Sequence, residues 1–303
     1  MTEAPLRLGT RGSALALAQA KIVAKALAGA EIVPIKASGD GGAPPTGGDK
    51  SRFVREIERA LLVGEVDLGV HSAKDLPTEL PEGLEIAGVL ERADPRDAYV
   101  GHVTSLGECP PGARIGTSSL RRRAQILARR PDLEVVDLRG NVDTRLARLE
   151  AGDFDGLVLA AAGLHRLGRG EEMTFPIEQE EITSAAGQGT IAIEALHSND
   201  HAAAAAESIT DREALATLSA ERALVAALDA SCNTPLGVNA TLEKNSRMHI
   251  HAFCGLPDGS EWLRDELTED DSDPEALAGR MAERLRAAGG ADILARAEEM
   301  GTG

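Results

Sequence analysis

Residues Arg114–Arg148 read RIGTSSLRRRAQILARRPDLEVVDLRGNVDTRLAR. This stretch holds nine arginines and four acids (Asp132, Glu134, Asp137 and Asp143), a local excess of nine minus four, or +5, in a chain of net charge −17. Guanidinium grips carboxylate or phosphate through two parallel hydrogen bonds. Ala113 and Ile115 mark a short apolar strand, and Thr117-Ser118-Ser119 then leads into a helical pattern from Leu120. Ser118 or Ser119 is suited to cap that helix, whose first-turn N–H groups then face an anion. Leu133–Leu138 reads as the next strand, with Arg139-Gly140-Asn141-Val142 turning into a second helix. Two successive βα junctions thus put Arg121, Arg122, Arg139 and Arg145 beside helix N-termini on one edge of a parallel sheet, where open α/β sheets bind ligands. Arg129, Arg130 and Arg148 come late in their helices, where a solvated cation favours the dipole.

The 303 residues are 43% hydrophobic and 27% charged, enough for two or three globular domains. Aromatics are 2%, so the cores must come from Ala, Val, Leu and Ile. No apolar run reaches membrane-spanning length and the start shows no signal-peptide pattern, so a cytoplasmic protein without a membrane partner is expected. The acidic balance argues against nucleic acid. Cys109, Cys232 and Cys254 have neither disulfide-framework nor metal-ligand spacing, and no metal is expected. Six lysines among the 32 basic residues leave 26 arginines. Acid excess with few lysines suits high-salt adaptation, and coding bias toward arginine gives the same composition.

Outward from the arginine stretch, other junctions repeat its logic. Leu6–Gly9 reads as a strand ending in Arg11-Gly12-Ser13, with Ser13 as cap of the following helix and Gln19 in its second turn. Glu31–Ala37 alternates as a strand. The segment 38–50, with five glycines and two prolines, reads as a lid, and Lys50 and Phe53 stand where it meets the helix Arg52–Val63. Val66–His71 is a buried-strand pattern running into Ser72-Ala73-Lys74-Asp75-Leu76-Pro77, where Pro77 bars a helix. Adjacent Lys74 and Asp75 are either a solvated pair or a carboxylate aimed at a ligand for acid–base or cation-stabilising work. Leu84–Glu91 is another strand. Arg92–Asp97 reads as a hinge into a second domain, where Asp155–Ala160 is a strand and 161–168 a short helix bearing His165 and Arg166, a further anion contact. The glycine-rich 182–189, with Gln188 offering an amide, precedes a strand at Thr190–Leu196 that returns to the first domain. Asp211–Leu228 is a helix, 242–267 a small antiparallel sheet, and two helices follow. Cys232, in an exposed turn after the long helix, is the thiol best placed to react; Cys254 reads as buried strand and Cys109 as linker.

Eight motifs, GTRGSALALAQA, VHSAKDLP, ERADPRDA, IGTSSLRRRAQ, LRGNVDTRL, AAGLHRLG, AAGQG and SCNTPLG, together resemble the porphobilinogen deaminase (hydroxymethylbilane synthase) family over nearly the whole chain. The resemblance implies an α/β fold of two type II periplasmic-binding-protein-like domains around a cleft (1–92 with 189–208, and 93–188) plus a small C-terminal α+β domain (209–303). It implies a monomeric transferase of porphyrin, tetrapyrrole and heme biosynthesis. Such an enzyme condenses four porphobilinogen molecules head to tail, releases ammonia and yields hydroxymethylbilane on a dipyrromethane cofactor held by a thioether, here at Cys232. Asp75 matches the aspartate that faces pyrrole nitrogens and stabilises the cation left as ammonia departs. Lys74, Asp75, Thr117, Ser118, Ser119, Arg121, Arg122, Arg145 and Gln188 are implied around the cofactor. Arg11, Ser13, Gln19, Lys50, Phe53, Arg139, Arg145 and Arg166 are implied around the substrate. Each pyrrole of the growing chain brings two carboxylates, which gives the arginine stretch a purpose.

The chain departs from the family pattern at the lid, where Asp49 adds an acid, and beside the cysteine, where Ala230-Ser231 and Asn233-Thr234 replace the usual neighbours. A non-catalytic carboxylate- or phosphate-binding protein of similar fold is the alternative reading. At −17, self-repulsion weakens the fold at low ionic strength and screening restores it. The thermal midpoint should therefore rise between dilute buffer and molar chloride; an unchanged or lower midpoint would assign the composition to coding bias.

Overall fold

A computed structural model describes residues 4–36, 50–231, 234–244, 246–270 and 273–301. The lid segment up to residue 49 and Cys232 lie outside the described residues. The chain separates into two compact units, 1–93 with 190–215 and 94–189 with 216–303.

The chain starts in the first unit with β1 (Arg7–Arg11), α1 (Ala14–Ala26), β2 (Glu31–Ile35), α2 (Lys50–Leu62), β3 (Leu68–Ser72) and β4 (Leu84–Val89). The second unit opens with β5 (Asp97–Gly101), β6 (Arg114–Gly116), α3 (Leu120–Arg129), β7 (Glu134–Val136), α4 (Val142–Glu150), β8 (Gly156–Ala160), α5 (Ala161–Arg166) and β9 (Phe175–Ile177). The chain returns to the first unit with β10 (Ile191–Leu196) and α6 (Asp200–Ser208), and α7 (Arg212–Ala227) follows. The second unit ends with β11 (Leu236–Glu243), β12 (Arg247–Gly255), β13 (Trp262–Asp270), α8 (Pro274–Ala287) and α9 (Gly290–Gly301).

Both units carry a five-stranded sheet of the same plan. The orders are β2-β1-β3-β10-β4 and β7-β6-β8-β5-β9. In each, three strands are parallel, and the fourth strand in the order (β10 or β5) runs antiparallel to both its neighbours. The third sheet, β11-β12-β13, is wholly antiparallel. This is the mixed α/β plan with a small C-terminal sheet that the sequence led us to expect. Segment 92–97, read as a hinge, ends in the first residue of β5, and β9 and α6 went unread. β9 is three residues long and α6 is alanine-rich, so neither presents a strong apolar period.

The helices form where caps and apolar spacing agree. Ser13 accepts from the Ala16 N–H, and Ala16, Gln19, Ala20 and Val23 make the buried face of α1. Asp273 caps α8, whose first residue is Pro274. With few aromatics, tight glycine contacts fill space beside those present. A Cβ at Gly156 would lie 2.2 Å from the Tyr99 hydroxyl, so only glycine lets β8 pass that ring.

Within the second unit, the three-stranded sheet has its own core (Leu224, Val238, Ile250, Leu277 and Met281 among others) and is stitched to the rest by polar contacts. The fully buried Glu221 carboxylate accepts from Gly187 N at 2.6 Å and Ala240 N at 2.7 Å, joining α7, the glycine-rich segment and β11. Val238 N donates to Ser184 O, and Arg264 donates to Gln125 Oε1 and to the carbonyls of Gln179 and Glu181. Among the described residues no helix is long and apolar enough to cross a membrane.

Candidate functional site

In the first unit β1 and β3 are parallel neighbours, so Arg11 and the turn after β3 share the carboxyl edge of the sheet. That turn is one 3-10 helical turn, Ala73–Asp75, and carries half-buried Lys74 and Asp75 before Pro77. It is pinned on two sides. Ala73 N donates to Thr190 O at 3.0 Å, beside the start of β10. Gln19, 3% exposed, donates its side-chain amide to Ser72 Oγ at 2.7 Å. Gln19 thus holds the strand end that presents Asp75. Ser13 sits at the same edge as the cap of α1. Lys50 and Phe53 fall in the first turn of α2.

In the second unit β6, β7 and β8 are parallel, and their carboxyl ends deliver residues 117–119, the turn before α4, and α5 to one edge. Ser119 caps α3, its hydroxyl accepting from Arg122 N, and Thr117 Oγ1 accepts from Ser119 N. Asn141 caps α4 through Thr144 N at 2.8 Å, after Gly140 at φ +113°. Two helix N-termini therefore open on this edge, each a ready site for an anion. Arg145 donates to Gly140 O at 2.9 Å and to Ser118 Oγ at 3.4 Å, which brings the two junctions together. Arg139 is exposed and pairs with Asp137 at 2.9 Å.

The centre of the edge is a residue the sequence reading passed over. β5 runs antiparallel to β8, so its first residue, Asp97, arrives at the carboxyl ends of the parallel strands opposite Ala160. Asp97 is fully buried. It meets Arg121 Nη1 at 2.8 Å and Arg122 Nη2 at 2.7 Å, and accepts from Gln188 Nε2 at 2.8 Å. Arg121 also donates to Thr183 O, and Arg122 to Val158 O. The other N–H of the Gln188 amide goes to Pro95 O at 2.7 Å. Gln188 is 1% exposed, and within the second unit it helps to seat Asp97. Arg121 and Arg122 are 5% and 6% exposed, so both guanidiniums are framed by the protein rather than displayed at its surface. The signal for Asp97 lay in the sequence as an acid opening the apolar run Asp97–Gly101.

Burial alone would raise the Asp97 carboxyl, but the charges of Arg121 and Arg122 overturn that and hold it well below the usual carboxylate range. Burial lowers Arg121 despite Asp97. Arg145 is pushed down to about 10 by burial and then by the charge of Arg122, and Arg166, which donates to Gly189 O, to about 10 by burial. Both stay protonated at neutral pH but are poorly solvated, so an arriving carboxylate gains more from them than from surface lysines. The edge combines poorly solvated cations with helix N-termini, the donor types that suit carboxylates or phosphates.

Two family models match the chain: "Porphobilinogen deaminase, dipyromethane cofactor binding domain" over residues 6–204, and "Porphobilinogen deaminase, C-terminal domain" over residues 215–287. A porphobilinogen deaminase of Thermus thermophilus is 44% identical over 296 residues, covering 95% of this chain and 98% of that protein. One of Thiobacillus denitrificans is 47% identical over 248 residues, covering 82% and 81%. Among solved structures, a TRAP periplasmic solute binding protein from Desulfovibrio salexigens is 12% identical and covers 69% of this chain and 73% of that one, at a TM-score of 0.41.

The Asp97 cluster makes a thermodynamic prediction. Its folded-state carboxyl lies below the unfolded value of about 3.9, so the stabilisation is complete above about pH 4 to 5 and is lost as pH falls toward the folded value. Asp97→Asn leaves two buried guanidiniums without their counter-charge and should cost about 3–5 kcal/mol at neutral pH, read as a lowered urea midpoint. The variant should also lose part of the wild-type decline in stability below pH 4. Parallel stability curves for the two proteins in acid would refute the assignment.

Proposed function

The chain belongs to the porphobilinogen deaminase family, and on that premise we propose that it condenses four porphobilinogen molecules head to tail, with release of ammonia, to give hydroxymethylbilane. The observation that carries this reading is the pair of capped helix N-termini at one sheet edge, with Arg121 and Arg122 on a buried carboxylate and Arg145 and Arg166 on nearby backbone carbonyls. Porphobilinogen and its oligomers are polycarboxylates, and each joined pyrrole adds two anionic groups for such an edge to hold.

The same donor set fits the dipyrromethane cofactor, since its carboxylates match guanidiniums and bare helix N–H groups. When bound, that cofactor supplies the pyrrole terminus onto which the substrate units are joined. We assign its attachment to Cys232, outside the described residues, with support from the other two thiols. Cys254 is fully buried and pushed up to about 11 by burial, and Cys109 is buried, raised by burial and within 3.8 Å of the Tyr99 hydroxyl. Thiolates attack, so neither is suited to alkylation at neutral pH. Thr117, Ser118, Ser119, Arg121, Arg122 and Arg145 hold carboxylates of the cofactor. Lys74 stands beside it, and Gln188 acts by seating Asp97. Arg11, Ser13, Arg139, Arg145, Arg166, Lys50 and Phe53 serve the substrate, and Gln19 acts through Ser72. Residues 209–303 are read as a third domain, a reading supported by their separate core and by the separate C-terminal family model. The protein is read as a cytoplasmic monomer.

Asp75 is the catalytic residue in this reading. Its 3-10 turn is fixed by Ala73, Thr190 and the Gln19–Ser72 bond, so a carboxylate is held in place before positive charge appears on the pyrrole as ammonia leaves. Asp75→Asn keeps the shape and removes the charge. Turnover should fall at least about 100-fold with the cofactor still attached; a variant keeping more than about a tenth of the rate would contradict charge stabilisation.

Intact mass tests the attachment. The wild-type chain should exceed its sequence mass by one dipyrromethane, and Cys232→Ser should be folded, at sequence mass and inactive. Cys109→Ala and Cys254→Ala should keep the added mass. Added mass that survives Cys232→Ser and vanishes from either of the others would move the attachment site.

A further inference from the structure

Outside the carboxylate-binding edges, the small C-terminal sheet carries a cluster that the proposed reaction does not use. His249 and His251 lie two apart on β12, so they project from the same face. Their Nε2 atoms are 2.9 Å apart. On β13 the residue registered with His251 is Glu266, and the residue registered with His249 is Thr268. Glu266 Oε2 lies 3.9 Å from His249 Nε2 and 3.8 Å from His251 Nδ1. Glu180 Oε1, from the segment before Ile182, lies 4.0 Å from His251 Nε2. One ligand atom from each of His249, His251 and Glu266 falls within 4.8 Å of the others.

We propose that His249, His251 and Glu266 form a binding site for a divalent transition metal ion of the zinc, cobalt or nickel class, with Glu180 as a further carboxylate within reach. Metal–imidazole bonds are about 2.0–2.1 Å long, so two nitrogens on one ion stand about 3 Å apart at right angles and about 3.3 Å apart in a tetrahedron. The observed 2.9 Å therefore suits an ion seated between the two rings with little or no strand movement. Glu266 and Glu180 are both largely exposed, which leaves their side chains free to rotate the remaining distance. The strands fix the imidazoles and the carboxylates adjust.

The surroundings prepare the rings for this role. Thr268 Oγ1 contacts His249 Nδ1 and so orients the ring with its Nε2 toward His251. The two Nε2 atoms, 2.9 Å apart, share one N–H between them. Metal entry shifts that proton to the other nitrogen of the donor ring and replaces one hydrogen bond with two coordinate bonds. Arg264 is the opposing charge, and it is offset by the acids at 266 and 180. Because Glu180 belongs to the segment that Arg264 ties to β13, a bound ion would add a second link between the small sheet and that segment.

The test uses the untagged full-length enzyme with its cofactor attached, titrated with Co2+ and then Zn2+. The expected result is one Co2+ per chain at submillimolar concentration, with visible d–d absorption, no sulfur charge-transfer band, and displacement by Zn2+. His249→Gln and His251→Gln should each weaken binding more than tenfold, Thr268→Val about tenfold through loss of the ring-orienting contact, and metal should raise the thermal midpoint of the wild type but not of the two histidine variants. Circular dichroism without metal identifies any variant that fails to fold, and the Thr268→Val affinity then decides alone. No saturation at millimolar metal, equal binding by wild type and the His249→Gln/His251→Gln double variant, or a sulfur band marking a thiol ligand would each overturn the proposal.

Discussion

The second unit depends on one carboxylate. Asp97 opens β5, the antiparallel strand of its sheet, and draws in Arg121 and Arg122 from α3 and Gln188 from the glycine-rich segment. Two guanidiniums buried side by side repel each other and lose hydration, a cost of several kcal/mol per ion unless a counter-charge lies in contact. Asp97 makes that burial tolerable but neutralises only one of the two. The residual positive charge stays inside the protein, at the ends of strands whose following helices also point their N-termini outward. The electrostatic character of the edge is thereby set by the fold and does not wait for a ligand.

Much of this plan was legible. The strand-to-helix junctions announced themselves through small polar residues, and Ser13, Ser119 and Asn141 cap the helices that the apolar spacing placed after them. The arginine-rich junctions, the buried strand cysteine and the small antiparallel sheet were readable for the same reason: each is local. Asp97 was not, because its partners lie 25 and 91 residues away for Arg122 and Gln188. Its segment looked like a charged hinge until the ion pairs explained it. Gln19 and Gln188 were read as lining a ligand on resemblance, and the structure gives both buried amides internal partners, Ser72 and Asp97. The helical period did contain a clue for α3. Ile126 and Gln125 are buried, and one turn before them stand Arg122 and Arg121 on the same inward face. A polar type in the core period signals a partner elsewhere in the chain, but not which one.

Acidic residues do two kinds of work here. Glu221 and Asp97 are fully buried acceptors that tie distant segments together, each satisfied by backbone N–H groups or guanidiniums. Most of the other acids face water, where they repel one another and contribute the large negative charge. The contrast explains why substitutions of similar appearance should differ: removing a surface acid relieves repulsion, whereas removing a buried one strands its donors.

Charge placement also bears on recognition in concentrated salt. At molar ionic strength the screening length falls to about 3 Å, so an exposed pair such as Arg139 with Asp137 contributes little. Guanidiniums removed from water are screened far less. Arg121 and Arg122 are almost fully buried, and Arg145 and Arg166 are half-buried against backbone carbonyls. In concentrated salt these four would keep most of their field, and exposed Arg139 would contribute mainly at low salt. On the other unit, the turn that carries Asp75 is held by backbone and amide hydrogen bonds at Ala73 and Ser72, which salt leaves intact. The two edges thus rest on contacts of different kinds, and neither kind depends on low ionic strength.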